Sequence, residues 1–149
     1  MNVDVAVKFT YQKAGLEVII RNSSDKIVTA VVQRVSYQVN VVCMKVEIVL
    51  FGTKTTQQVE CVPMIVESDS TKVVDLSLNR KGSKTKISWT IAKIQARLKG
   101  YSLSSVQYVL GGCNACAHSL AKVALEYQNI VLWLENFLDQ IMMLFLKFV

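Results

Sequence analysis

The chain opens on a two-residue alternation. Over NVDVAVK, residues 2–8, Val3, Val5 and Val7 fall on one side and Asp4, Ala6 and Lys8 on the other, the period of a β-strand. Asp4 is thereby placed on the face opposite the valines. Two further β-rich runs, GLEVIIR (15–21) and KIVTAVVQR (26–34), flank NSSD (22–25), whose composition suits a tight turn, so an antiparallel hairpin is expected. The next run, VVCMKVEIVLF (41–51), is ambiguous by periodicity: its β-branched residues suit a strand, whereas its continuation to about Gln58 suits a helix.

MIVESD (64–69) reads as a short strand, and STKVVDLSLNR after it as a helix capped by Asp69 or Ser70. NRKGSKTK is a basic loop, and Lys86, Lys93 and Arg97 recur at helical spacing along KISWTIAKIQARLKG, giving a cationic helix face. SLSSVQYV (102–109) reads as another strand. Gly111 and Gly112 break the chain before a helix whose apolar face carries Ala117, Leu120, Ala121, Ala124 and Leu125. Trp89 and Trp133 both lie in apolar surroundings, which predicts core anchors rather than base-stacking platforms.

The last stretch, NIVLWLENFLDQIMMLFLKFV (129–149), is the most apolar part of the chain. Glu135, Asp139 and Lys147 interrupt it, and acidic side chains near a bilayer centre are costly, so it predicts a terminal amphipathic helix or docking arm rather than a membrane span. The expected organisation is one domain over 1–128 with 129–149 as its apolar C-terminal arm, which also offers a protein contact.

Composition narrows the partners. The 149 residues are 52% hydrophobic, enough for one core without disulfides or structural metal. Seventeen Lys and Arg against eleven Asp and Glu give a net charge of +6, which favours polyanionic partners. The first ten residues carry Asp4 and Lys8 where a secretory leader needs an unbroken apolar core, so an intracellular location, nuclear or cytoplasmic, with reduced thiols is expected. Cys113 and Cys116 form a C-x2-C, but Cys43 and Cys61 do not complete a zinc-ribbon spacing, and no structural zinc is expected.

Several of these pieces, in order, carry a resemblance: NVDVAV, AGLEVIIRNSSDKIV, the segment ending in VLFG, IVESDS, NRKGS before a Trp-containing helix, N-x-x-A-H-S-L-A-K-x-A from Asn114, and LWLENF. Together they resemble the type-1 ribonuclease H superfamily, in the version carried by plant retroelements and their domesticated relatives. The resemblance covers almost the whole chain and implies an α/β fold: a mixed five-stranded sheet, its first three strands antiparallel, with helices on both faces. It also implies that residues from about 42 to 58 form the first helix.

Enzymes of that type cleave the RNA of an RNA–DNA hybrid with two divalent ions about 4 Å apart, held by four clustered carboxylates. The resemblance places Asp4 and Asp69 at the first and third acid positions, as candidate ligands for Mg or Mn. The second acid belongs seven residues before the glycine that closes the first helix, and counting back from Gly52 gives Lys45. Glu47, two residues on, is turned away by roughly 200° of helix. The fourth position holds His118, as plant-type members often do, and Tyr108 stands where an accessory histidine is expected. An imidazole suits Mn²⁺ or Zn²⁺ better than Mg²⁺.

Lys84, Lys86, Lys93 and Arg97, with Arg80 and Lys81, are candidates for phosphate contacts to RNA–DNA hybrid or RNA. The stretch from Asp69 to Asn114 is too short for the extra basic helix of longer family members. The expected function is therefore a nucleic-acid-binding ribonuclease H-like domain with a degraded catalytic site. The alternatives are an active metal-dependent hybrid ribonuclease using Asp4, Asp69 and Glu67 or Glu47, and a non-catalytic protein-interaction module using the tail.

Overall fold

A computed structural model describes residues 1–37, 40–78 and 86–134, with Lys86 as backbone alone. The alternation at the start of the chain is strand β1 (Asn2–Lys8), and the two β-rich runs are β2 (Lys13–Arg21) and β3 (Ile27–Ser36). All three pair antiparallel, with Asp4 opposite Glu17 and Val18 opposite Val31. The hairpin turn is built by Asn22, whose side-chain Oδ1 accepts from the backbone N–H groups of Ser24 and Lys26, both at 3.0 Å.

The ambiguous run is helical, as the family resemblance required. Helix α1 (Val41–Gln58) starts where the Asn40 side chain accepts from the Cys43 N–H at 2.9 Å. Its β-branched residues are held in the helix by burial: Val46, Ile48 and Val49 pack on Val3, Val5 and Val18 in the larger core. Each such buried side chain contributes roughly 1.5–3 kcal/mol, which outweighs a propensity penalty of a few tenths. Gly52 lies inside α1 rather than at its end. A Cβ there would stand 2.6 Å from Met1 Sδ, so this glycine marks a close approach of helix and chain start.

Strand β4 (Ile65–Ser68) runs parallel to β1, and β5 (Ser105–Tyr108) parallel to β4. Between them lie α2 (Thr71–Leu78) and α3 (Lys86–Gly100), on the same face as α1. The opposite face is covered by α4 (Ala115–Ala124), whose Ala117, Leu120 and Ala124 pack on Ile19, Ala30 and Val32. Gly15 of β2 allows this contact, because a Cβ on it would lie 1.9 Å from the carbonyl oxygen of Ala121.

The sheet differs from expectation at its edge. It has six strands in the order β5-β4-β1-β2-β3-β6, because Val131–Leu134 forms a strand, β6, antiparallel to β3. A terminal helix beginning at 129 is thus replaced by a strand over its first part, while residues 135–149 lie outside the described residues. The physical reason is alternation: Trp133 turns into the second core beside Tyr127, and Leu132 and Leu134 point the other way and stay about half exposed. Trp133 is a core anchor as expected, but Trp89 is not, being 76% exposed on α3. Among the described residues no helix is long and apolar enough to cross a membrane.

Candidate functional site

β1 is where the sheet changes character: its neighbour β2 is antiparallel and its neighbour β4 parallel. The β1–β4 ladder holds a single pair, Asn2 with Glu67, so beyond Asn2 the two strands part. Such a gap, here at the carboxyl end of β4 and beside the first half of β1, is near where open α/β sheets place functional groups. Asp4 stands on one side of it and Asp69, just past β4, on the other.

Lys45, in the second turn of α1, reaches between them. Its Nζ lies 3.1 Å from Asp4 Oδ1 and 2.6 Å from Asp69 Oδ1, both within ion-pair distance. Burial alone would pull this ammonium down, yet the hydrogen bond it donates to Asp69, the charge of Asp4 and the hydrogen bond it donates to Asp4 outweigh it, holding Lys45 above the ordinary lysine value. His118, on the first turns of α4, completes the group: its Nδ1–H donates to Asp4 Oδ2 at 2.9 Å. All four positions picked from the sequence, Asp4, Lys45, Asp69 and His118, are therefore brought together by three separate elements and the end of a fourth.

Asp69 is consequently engaged by the lysine. The Ser70 hydroxyl takes the role at the start of α2, accepting from the Val73 N–H at 3.4 Å. Glu47 faces the other way, its Oε1 accepting from the Thr90 hydroxyl of α3 at 2.8 Å. Glu67 is held by Asn2 and Gln107, whose side-chain amides donate to its two oxygens, each at 2.8 Å. Tyr108 is partly exposed at the end of β5.

Two residues that sequence reasoning passed over shape this site. Asn114 is buried, donates to the Val3 carbonyl at 3.0 Å and accepts from Asn2, which ties the start of α4 to β1 and aims His118 at Asp4. Its signal was the N at the head of the N-x-x-A-H motif. Glu17 is fully buried directly across from Asp4, and neither carboxyl oxygen has a hydrogen-bond partner. Burial, reinforced by the Asp4 charge, pushes its carboxyl well above the usual glutamate range. An apolar-looking period in β2 gave no hint of it.

A two-ion carboxylate centre does not fit these residues. The oxygens of Asp4 and Asp69 that face one another share one ammonium, and among the described residues no three His, Cys, Asp or Glu side chains converge to hold a metal ion. The free thiols of Cys113 and Cys116 are exposed. Of the candidate phosphate-binding residues, Lys93 is exposed on α3 and Arg97 donates to Gln57 Oε1 of α1 at 2.7 Å. Lys84 lies outside the described residues, as do Arg80 and Lys81, and of Lys86 only its place at the start of α3 is described.

The profile of the family described as reverse transcriptase-like matches residues 2–124. The chain belongs to that family. This reverse transcriptase-like domain has the ribonuclease H-like fold. It superposes on ribonuclease H1 from the halophilic archaeon Halobacterium salinarum with a TM-score of 0.74 at 14% identity, over 84% of this chain and 95% of that one. The N-terminal ribonuclease H domain of Rv2228c from Mycobacterium tuberculosis gives 0.69 at 16% identity, over 83% and 90%. LC11 ribonuclease H1, solved in complex with an RNA/DNA hybrid, also gives 0.69, at 17% identity over 84% and 94%. At these identities the likeness is one of fold. No curated protein matches the reverse transcriptase-like domain by sequence.

Proposed function

We propose that this domain binds RNA–DNA hybrid or structured RNA across the cleft where β1 and β4 part, and leaves the phosphodiester backbone uncut. The observation that carries the reading is the Lys45 ammonium held between Asp4 and Asp69 at 3.1 and 2.6 Å. A unit positive charge about 4 Å from a divalent ion, at an effective dielectric near 20, repels it by about 8 kcal/mol. That repulsion replaces the attraction an acid would give. His118 at the fourth position supplies no fixed negative charge to offset it.

The ligand class is supported by the net charge of +6 and by the fold shared with LC11 ribonuclease H1, which was solved on a hybrid. The decisive experiment pairs binding with cleavage. Wild type should bind a labelled hybrid in the presence of chelator and should not cut it with Mg²⁺ or Mn²⁺. The Lys45→Glu, His118→Asp double variant should gain metal-dependent cutting. Robust Mg²⁺-dependent cleavage by wild type overturns the proposal, and so does failure of wild type to bind hybrid or structured RNA.

A further inference from the structure

One exposed stripe of α3 is not used by the cleft. Trp89 is 76% exposed, and Lys93 follows one turn later on the same side of the helix. Arg97 comes one turn further and is turned toward α1, where the 2.7 Å bond to Gln57 fixes its guanidinium. Lys54 of α1 faces it across an open groove of about 610 Å³, floored by the small residues Ala96 and Gly100. Among the described residues no acidic side chain pairs with Lys54, Lys93 or Arg97. The groove is thus lined by three cations without an acidic partner among the described residues, and the exposed ring of Trp89, outside its lining, stands one helical turn before Lys93.

This surface is distinct from the cleft but continuous with it. Thr90, beside Trp89, is bonded to Glu47 near Lys45, whereas Lys54 lies nine residues further along α1, about 14 Å away. We propose that the α1–α3 groove binds single-stranded nucleic acid, with an unpaired base stacked on Trp89 and successive phosphates on Lys93, Arg97 and Lys54. A cationic track with an aromatic platform is the combination that holds a single strand without sequence preference, since every base offers a π-face. A base inside a duplex has both faces covered by its stacked neighbours, which favours single strand over duplex here. The groove would take the overhang of a hybrid seated in the cleft.

The chain holds two tryptophans, and Trp133 is buried, so the emission of exposed indole reports on Trp89 alone. The full chain is titrated with an oligouridine of about eight nucleotides, a length within the range such surfaces cover. Quenching of the exposed emission is expected. Trp89→Ala should abolish it and weaken binding about tenfold or more by anisotropy, with unchanged circular dichroism. Replacing Lys54, Lys93 and Arg97 together by Gln should lower the slope of log affinity against log salt by about 2. Absence of quenching in wild type, quenching that persists in Trp89→Ala, or an unchanged salt slope each overturns the proposal. A blunt hybrid titrated in parallel separates this surface from the cleft: a chain that binds oligouridine but not hybrid or structured RNA refutes the cleft reading and leaves this one standing, and the reverse pattern does the opposite.

Discussion

Replacing Lys45 by Met tests whether the ammonium holds the site together. The substitution keeps the apolar stem and removes two charge-assisted contacts, at 3.1 Å to Asp4 and 2.6 Å to Asp69. Each hydrogen bond to a charged group is worth about 1.5–3 kcal/mol net, and removing one partner of a buried pair typically costs about 3–5 kcal/mol because the other charge is stranded. The lysine, Asp4 and Asp69 side chains are 14%, 2% and 24% exposed, which sets the site near the buried end of that range. A loss of about 3 kcal/mol follows, lowering the urea midpoint by about 1–2 M. Because the folded ammonium titrates above its ordinary value of 10.5, its contribution is fully present below that value and is lost only as pH rises beyond it, so the loss should be the same at pH 6 and 8. Asp4→Asn in the same background should restore part of it, with a coupling of about 2 kcal/mol in the double-mutant cycle. Coupling below about 0.5 kcal/mol would refute the claim that the ammonium supports the buried carboxylate.

Glu17 has a linkage of the same sign, but its window opens at a far lower pH. Its folded carboxyl titrates well above 4.5, so its contribution to stability is fully present below that value and is lost as pH rises toward the folded one; Glu17→Leu should flatten this decline and stabilise the protein by about 1 kcal/mol or more at pH 8, and an unchanged slope in denaturation against pH counts against a buried neutral carboxyl. Gly15→Ala, which sets a Cβ 1.9 Å from the Ala121 carbonyl, should cost about 2–3 kcal/mol and shift the His118 ring resonances; a variant as stable as wild type would show that α4 is not held this closely. Trp133→Ala should cost about 3–5 kcal/mol and expose β6 to protease, whereas unaltered protease resistance would mean that β6 is fixed by its backbone ladder alone.

Residues 2–8 and the N-S-S-D turn were legible because a period of two and a turn composition are local signals that the sheet merely adopts. Helix α1 was not, since its β-branched residues obey a tertiary demand; motif order resolved it where periodicity left two answers. Counting back from Gly52, which lies inside the helix and not at its end, picked out a lysine that the fold sets between Asp4 and Asp69. Trp89 and β6 were missed for two different tertiary reasons: Trp89 sits on the side of α3 that faces solvent, and the partner of the short apolar run 131–134 is β3, far away in sequence. Glu17 was invisible because its character comes from complete burial, reinforced by the charge of Asp4 on the neighbouring strand, and neither is a local signal.

Lys45 also changes how the cleft responds to its surroundings. A divalent ion between two carboxylates obeys mass action: it leaves when chelator is added and returns with free concentration. An ammonium tethered to α1 does not exchange with the medium, so the charge between Asp4 and Asp69 is as constant as the backbone that carries it. The charge that joins α1 to β1 and to the end of β4 is thereby written into the polypeptide itself.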